Sequence, residues 1–209
     1  MKKLIATTFI TLDGIVQAPG GPEEDTSGGF IHGGWLVPFF DEMMEKLIAE
    51  WTASAGALLL GRKTYEIFAR HWPNVTDDTD PVATKLNSVR KYVASRTLDK
   101  VAWNNSTLID GDIAEEVIKI KNEPGQEIQV HGSGALIQTL LKHELIDEFR
   151  LWVFPVLLGS GKRLFAEGTV PARLKLIDTK TSSTGVVIHT YQGTEAPDYG
   201  SFAVTAPKT

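Results

Sequence analysis

Apolar and polar positions along the chain follow two patterns in turn, one typical of buried strands and one of amphipathic helices. Short, largely apolar or β-branched runs predict strands over residues 3–10, 57–60, 91–95 and 127–131. Apolar residues at three- and four-residue steps, or in short bursts, predict helices over residues 39–51, 82–86, 112–121 and 135–142. The last third predicts strands over residues 148–158, 174–181 and 186–192. Helices interleaved with early strands and short turns between late ones favour an α/β fold, with a mainly parallel sheet, antiparallel C-terminal edge strands and helices on both faces.

The segment from Gln17 to Gly34 fits neither pattern, because "QAPGGPEEDTSGGFIHGG" is rich in glycine and proline and has no period. Long irregular segments inside a compact domain are usually functional or mobile, so we predict a lid over a ligand. The chain shows no internal repeat and no linker, which indicates one domain over residues 1–192. Residues 193–209 are predicted to be a tail, either a loose extension or an arm that packs on a partner chain.

Composition narrows the classes of protein to consider. The chain has 42% hydrophobic residues and a formal net charge of −5, which argues against a surface that binds duplex nucleic acid. It has no cysteine, which excludes disulfides, thiol catalysis and thiolate metal sites, and its histidines have no partner at metal-ligand spacing. No apolar run reaches the length of a membrane span. We therefore expect a cytoplasmic protein with no metal and with neither nucleic acid nor a membrane as partner.

Three predicted strand ends carry distinctive chemistry, in Gly61-Arg62-Lys63-Thr64, Ser95-Arg96-Thr97 and Gly132-Ser133-Gly134-Ala135. Taken singly, each has an ordinary alternative: solvated charges at a helix start, a surface arginine, and a tight turn with an N-cap. Ligands of open sheets bind beyond the carboxyl ends of the strands, where all three would meet. The helix dipole disfavours two cations at a helix start, and a bound anion would remove that cost. Together the three turns favour a seat for an anion.

These motifs also carry a resemblance to known proteins. "LGRKTYE" at residues 60–66, "SR" at 95–96 and the strand–Gly-Ser-Gly–helix unit resemble the dihydrofolate reductase fold. The segments "TLDG" at 11–14, "VHGSGALIQTLL" from Val130 and "IDEFRLWVFPVLLGSGKRLF" at 146–165 are more similar to the reductase domain of bacterial bifunctional riboflavin deaminase-reductases and its stand-alone relatives. The resemblance covers about residues 3–192, and it implies a three-layer fold of the dihydrofolate reductase type.

The resemblance implies an NADPH-dependent reductase that transfers a hydride to a small pterin- or pyrimidine-like substrate, related to 5-amino-6-(5-phosphoribosylamino)uracil reductase and forming a homodimer. Thr8 would then lie beside the nicotinamide. Arg62 and Arg96 would lie near the 2′-phosphate, and two arginines suit NADP better than NAD. The full set of cofactor residues implied is Thr8, Gly61, Arg62, Lys63, Thr64, Ser95, Arg96, Gly132, Ser133, Gly134, Ala135 and Leu136.

Catalytic and substrate-binding candidates have weaker support in the sequence. Asp13, at the end of the first strand, is the leading candidate for the proton donor, although it also suits an Asx-type turn before Gly14. Asp41 is the second candidate, and as an acid at a helix start it could equally complement the dipole. The aromatic side chains that could enclose a flat substrate are Trp35, Phe39 and Phe154.

Two departures from the related families bear on the substrate. Folate reductases carry an acid two residues after the proline of a Trp-x-x-Pro motif, and "WLVPFFD" has Phe40 at that step. Folate reduction is therefore the weaker of the two reductase hypotheses. The riboflavin-pathway reductases carry a paired-aspartate, proline and arginine motif after the second strand, where this chain has "GRKTYE". A module that senses NADP(H) without turning it over, and a scaffold with no ligand, remain as alternatives.

Overall fold

The computed structural model describes residues 1–202 and contains eight strands and five α-helices within that range. In chain order these are β1 Leu4–Thr11, α1 Glu42–Ala53, β2 Ala55–Gly61, α2 Arg62–His71, α3 Pro81–Ser88, β3 Arg90–Ala94, β4 Ser106–Leu108, α4 Ile113–Asn122, β5 Glu127–His131, α5 Gly134–Lys142, β6 Glu148–Phe154, β7 Arg173–Thr181 and β8 Val187–Glu195. Single 3-10 turns lie at Ser27–Gly29, Val37–Phe39 and Trp72–Asn74.

All eight strands form one sheet in the order β4-β3-β2-β5-β1-β6-β8-β7. Neighbouring strands from β4 to β6 run parallel, and β8 pairs antiparallel with both β6 and β7. Successive side chains of β2 point to opposite faces of the sheet. Leu59 packs in a core with α4 and α5, and Leu58 and Leu60 pack in a core with α2 and α3. Helices therefore cover both faces. The predicted fold class is confirmed.

Among the differences from the sequence prediction, two element boundaries and one additional strand have clear local reasons. Helix α1 begins at Glu42 instead of residue 39, because Pro38 lies in a 3-10 turn, Phe40 is extended and Asp41 caps the helix. Strand β6 ends at Phe154 rather than residue 158, since Pro155 has no N–H to donate to a ladder. Strand β4 has only three residues at the sheet edge and carries no periodic signal.

The predicted tail begins as part of the sheet. Strand β8 continues to Glu195, and Arg173 of β7 forms ion pairs with Glu195 and with Asp198, the latter at 2.7 Å. Residues 203–209 of that tail lie outside the described residues. Over residues 1–202, no helix combines the length and apolar character needed to cross a membrane.

Candidate functional site

A cavity of about 730 Å³ opens at the carboxyl ends of β1, β2, β3 and β5. Its volume falls in the range of small-molecule and cofactor sites. The three turns that the sequence singled out meet there, because parallel neighbouring strands bring their carboxyl ends to one edge of the sheet. All twelve predicted cofactor residues line it: Thr8, Gly61, Arg62, Lys63, Thr64, Ser95, Arg96, Gly132, Ser133, Gly134, Ala135 and Leu136.

Two helices begin at this cavity without a side-chain cap. The first residue before α2 is Gly61 and the first before α5 is Ser133, and neither makes a side-chain bond to the helix amides. The other three α-helices each begin after an aspartate whose carboxylate accepts from their first amides: Asp41, Asp80 and Asp112. The open amides and positive dipole ends of α2 and α5 therefore form a place for an anion.

The Ser133 side chain joins the two helix starts instead of capping its own helix. Its backbone is left-handed, with φ 54° and ψ 47°, and it follows Gly132 at φ 51°. In this conformation its hydroxyl accepts from the Gly61 amide at 3.0 Å and donates to Thr64 Oγ1 at 2.9 Å. A non-glycine residue in this backbone region is uncommon and costs energy. The strain lies where the loop must turn to leave the α5 amides open.

Four lysine and arginine side chains line the same cavity, and three of them lie at the ends of β2 and β3. Arg62, Lys63 and Arg96 are exposed, and Arg62 contacts Glu66 of its own helix at 3.5 Å. Within residues 1–202, the side chains of Lys63 and Arg96 have no hydrogen bond and no ion pair. Free positive charge concentrated on one wall of an acidic protein favours an anionic ligand.

The sheet order sets the distance between the parts of the cavity. Strands β3, β2, β5 and β1 are consecutive neighbours, so three strand intervals separate Ser95 and Arg96 from Thr8, about 14 Å at ordinary strand spacing. Arg62, Lys63 and Arg96 lie at the β3–β2 side with the start of α2, the start of α5 lies in the middle at the end of β5, and β1 lies at the other side. This order of cations, open helix amides and β1 along the cavity fits a long ligand with phosphates in its middle and at one end, which is the charge pattern of NADPH.

Asp13 lies outside the wall of the cavity and holds two turns together. Its carboxylate accepts from Thr11 Oγ1 at 2.6 Å and from the Gly159 amide at 2.7 Å. The Thr11 hydrogen bond, aided by the backbone amides of Gly159 and Leu158, lowers the pKa of Asp13. An ionised carboxylate is a poor proton donor, so this geometry matches the turn alternative and gives no support to the catalytic one.

Asp41 also lies outside the cavity wall. One carboxylate oxygen accepts from the Met44 amide at 3.0 Å, and the other accepts from the Ser183 amide and hydroxyl at 2.9 and 2.7 Å. The hydrogen bond from the Ser183 side chain is the main reason that the pKa of Asp41 is lowered. Asp41 caps α1 and ties it to the turn before β8, an arrangement that gives no support to a catalytic role.

The three aromatic candidates for substrate contact pack in the core under α1. Trp35, Phe39 and Phe154 meet edge to face, with Phe154 fully buried at the centre and ring centroids 5.3 and 6.0 Å from its own. The Trp35 indole also donates to the Gln17 carbonyl at 2.8 Å. None of the three lines the cavity. The predicted sandwich around a substrate therefore lacks support, because inward-facing positions of β6 belong to the core.

Sequence reasoning missed a second group of polar residues on the cavity wall. Gln17 is buried and donates to the carbonyls of Asp25 and Ser27 at 3.0 and 2.9 Å, while its own side-chain oxygen accepts from the Lys162 amide at 3.0 Å. The Lys162 ammonium in turn binds Asp25 and Ser27. The irregular segment is thus tied to the loop after β6. Nothing in the sequence spacing reveals this pairing, since the partners are about 140 residues apart.

His131 is the other residue of the cavity wall whose chemistry the sequence did not reveal. Burial, with a contribution from the nearby Arg150, lowers the pKa of His131 to about 4, so the ring is neutral near pH 7. Its Nε2 lies 3.0 Å from Gln129 Oε1. The Gln129 amide nitrogen already donates to Trp51 and Glu127, so its oxygen accepts from His131, which leaves Nδ1 without a proton.

Comparison with known proteins agrees with the geometry. The family model of the RibD C-terminal domain matches residues 2–188. The chain belongs to that family. It is 34% identical to the uncharacterized protein YyaP of Bacillus subtilis over 188 residues, which is 89% of this chain and 92% of YyaP. The resemblance inferred from the motifs is therefore confirmed.

Solved structures show the same fold. A protein assigned to riboflavin biosynthesis in Shewanella sp. PV-4 superposes with a TM-score of 0.68 at 22% identity, covering 91% of this chain and 98% of that one. The deaminase/5-amino-6-(5-phosphoribosylamino)uracil reductase of Thermotoga maritima gives a TM-score of 0.60 at 15% identity. It is matched over 92% of this chain and 56% of its own length. The RibD-type fold thus spans nearly all of this chain.

Proposed function

We propose that the protein is an NADPH-dependent reductase that transfers a hydride to a small pyrimidine- or pterin-like heterocycle. Membership of the RibD C-terminal domain family supports the reaction class, and the Thermotoga relative is named as a reductase of a substituted uracil. The observation that carries the proposal is the convergence of two uncapped helix starts and three cations on one cavity. This is a device for binding phosphates.

The roles of the cavity residues follow from their order along the sheet. Arg62 and Arg96 are assigned to the 2′-phosphate, because they are the cations at the β2 and β3 ends. The amides from Gly132 to Leu136, at the start of α5, are assigned to the pyrophosphate. Thr8 on β1 is assigned to the nicotinamide side. When bound, the cofactor supplies the hydride, and the chain supplies binding, orientation and a proton.

The substrate is assigned to the β1 side of the cavity, against apolar surface. Phe9 of β1 lines the wall there, and Phe68 of α2 lines the cavity with its ring 5.9 Å from that of neutral His131, at the end of β5. A planar ring gains most from such a surface, and a few polar groups fix its orientation. The unprotonated His131 Nδ1 is suited to accept from an N–H group, which pyrimidine and pterin rings carry.

Cofactor binding and turnover test the proposal separately. Titration calorimetry of the full chain should show NADPH binding more tightly than NADH. Oxidation of NADPH, followed by absorbance, should begin when a member of a panel of pyrimidine ribitol compounds and pterins is added. Binding without oxidation by any member would favour the sensor, and absence of NADPH binding would remove both hypotheses.

We further propose that the protein acts as a homodimer. The outer strand β7 is exposed almost throughout, including Leu176 and Ile177, which are 50% and 46% exposed. A long edge strand with apolar side chains is a usual site for pairing with another chain. Light scattering after size exclusion should give twice the mass of one chain. A monomer at micromolar concentration would contradict the proposal.

A further inference from the structure

Three carboxyl side chains line the cavity within residues 1–202: Glu24, Asp25 and Asp112. Two of them already have partners that need their charge. Asp112 caps α4, accepting from the Ala114 and Glu115 amides at 2.9 and 3.1 Å. Asp25 binds the Lys162 ammonium and the Ser27 hydroxyl. Burial acts to raise the pKa of Asp25, but these hydrogen bonds outweigh burial and lower it. Both therefore have structural roles.

Glu24 has a different environment. Its carboxyl group is partly buried and accepts from the Gly20 amide at 2.6 Å, with the Gly21 amide nearby. Among the described residues, no side chain donates to it and no cation pairs with it. Burial is the largest cause and raises the pKa of Glu24; the hydrogen bonds from the Gly20 and Gly21 amides oppose this rise, and the neighbouring charge of Asp25 adds to it. The direction is opposite to that for Asp13 and Asp41, the two acids that the sequence favoured.

The fold holds Glu24 at the β1 side of the cavity. The next residue, Asp25, is fixed through Gln17 and Lys162, and Gln17 follows β1 after a short turn. The Glu24 amide also donates to the Gly21 carbonyl at 3.2 Å, so the backbone around it is a closed turn. Thr8 and Phe9 of β1 line the same cavity. This is the side assigned above to the nicotinamide and the substrate.

We propose that Glu24 is the proton donor of the reduction, an inference that rests on the proposed function. Held by the helix starts at Gly61 and Ser133, the cofactor would supply a hydride to the carbon of a C=N or C=O bond of the heterocycle. Glu24 gives its carboxyl proton to the nitrogen or oxygen of that bond. The products are NADP⁺, the saturated C–N–H or C–O–H group, and a Glu24 carboxylate that takes a new proton from water.

A purely structural role for Glu24 gives different expectations. As an acceptor for the Gly20 amide, a glutamine would serve as well, because its amide oxygen occupies the same position. Glu24→Gln therefore keeps the turn and removes only the titrating proton. Glu23→Gln is a matched control, since Glu23 is its exposed neighbour and does not line the cavity.

The first test compares these two variants in NADPH binding and in NADPH oxidation with the acceptor that supports the wild-type protein. We expect both to bind NADPH as the wild type does, and Glu24→Gln alone to lose rate by about 100- to 10,000-fold, the usual contribution of a positioned acid. An unchanged rate in Glu24→Gln overturns the assignment of Glu24 while leaving the reductase intact. A wild type that oxidises no NADPH with any acceptor overturns the proposed function and this inference with it.

The second test measures ionisation directly and needs no acceptor. NMR of carboxyl carbons, assigned by comparison with Glu24→Gln, should show Glu24 titrating above the ordinary range in the free full-length protein. With an active acceptor, wild-type rate should fall as pH rises through that same value, and Glu24→Gln should lack this limb. The neighbouring charge that acts on the group is that of Asp25, and the other charged side chains that line the cavity are Lys162, Arg62, Lys63, Arg96 and Asp112. Titration at or below the value of a solvent-exposed glutamate would refute a donor role.

Discussion

Arg62→Ala is the sharpest test of the anion seat at the start of α2. The change removes a cation from the first residue of a helix whose cap, Gly61, offers no side-chain bond. The helix itself should remain, because alanine is a better helix former and the dipole disfavours a cation there. The loss should therefore appear in ligand binding and not in stability.

The size of the effect can be worked from the side chain's surroundings. A hydrogen bond to a charged group contributes about 1.5–3 kcal/mol, and the low end applies because Arg62 is 43% exposed. Its existing contact with Glu66 is a surface pair of about 0.3–0.5 kcal/mol that is given up on binding. The net loss is about 1–2 kcal/mol, which corresponds to roughly a 5- to 30-fold weaker affinity for NADPH.

Titration calorimetry with NADPH and NADH separates the 2′-phosphate from the rest of the cofactor. Arg62→Ala should weaken NADPH by that factor and leave NADH nearly unchanged, and the difference should shrink at high salt. Arg70→Ala, at the far end of the same helix and outside the cavity, is the matched control. Equal losses for the two cofactors would show that Arg62 does not contact the 2′-phosphate.

Two further predictions concern the frame around the site. Lys162→Met removes the ammonium that binds Asp25 and Ser27, so the rate of hydrogen exchange at amides 24–27 should rise. Addition of NADPH with an acceptor should restore less protection in this variant than in the wild type. Unchanged exchange would show that the segment is a passive loop. Burial lowers the pKa of Lys91 from 10.5 to about 8 in the folded protein. Between these two pH values the unfolded chain still holds the proton that the folded protein has released, so the free energy of unfolding should rise with pH. Chemical denaturation of the wild type and of Lys91→Met would check this: only the variant should lack the rise, and parallel curves would contradict it.

The parts of this protein that could be predicted from sequence are those whose determinants are local. Strand β5 was placed at residues 127–131, and α5 within one residue, because an apolar run followed by Gly132 and then an amphipathic repeat leaves few alternatives. The meeting of the turns at Gly61, Ser95 and Gly132 follows from one rule, that parallel strands bring their carboxyl ends together, whereas the full set of twelve cavity residues is what the family resemblance implies. Neither inference needed a contact between distant residues.

Side-chain roles were harder, because they depend on such contacts. Asp13 and Asp41 are adjacent to strand and helix ends, as a proton donor would be, yet their partners Gly159 and Ser183 lie more than 140 residues away. Glu24 is the reverse case, an acid in a glycine- and proline-rich run that predicts a lid but gives no role to any single acid within it. Its burial follows from the bonds that Gln17 and Lys162 make, which no spacing in the sequence encodes.

The distribution of helix caps connects the sequence to the site more directly than any single motif. Asp41, Asp80 and Asp112 satisfy the first amides of their helices, so nothing else needs to bind there. Gly61 has no side chain to offer, and Ser133, a common capping residue, is held in a left-handed conformation with its hydroxyl bonded to Gly61 and Thr64. A capping residue kept away from its own helix leaves those amides free for a phosphate. The same hydroxyl fixes the two helix starts side by side, so one strained residue both opens the anion seat and sets its shape.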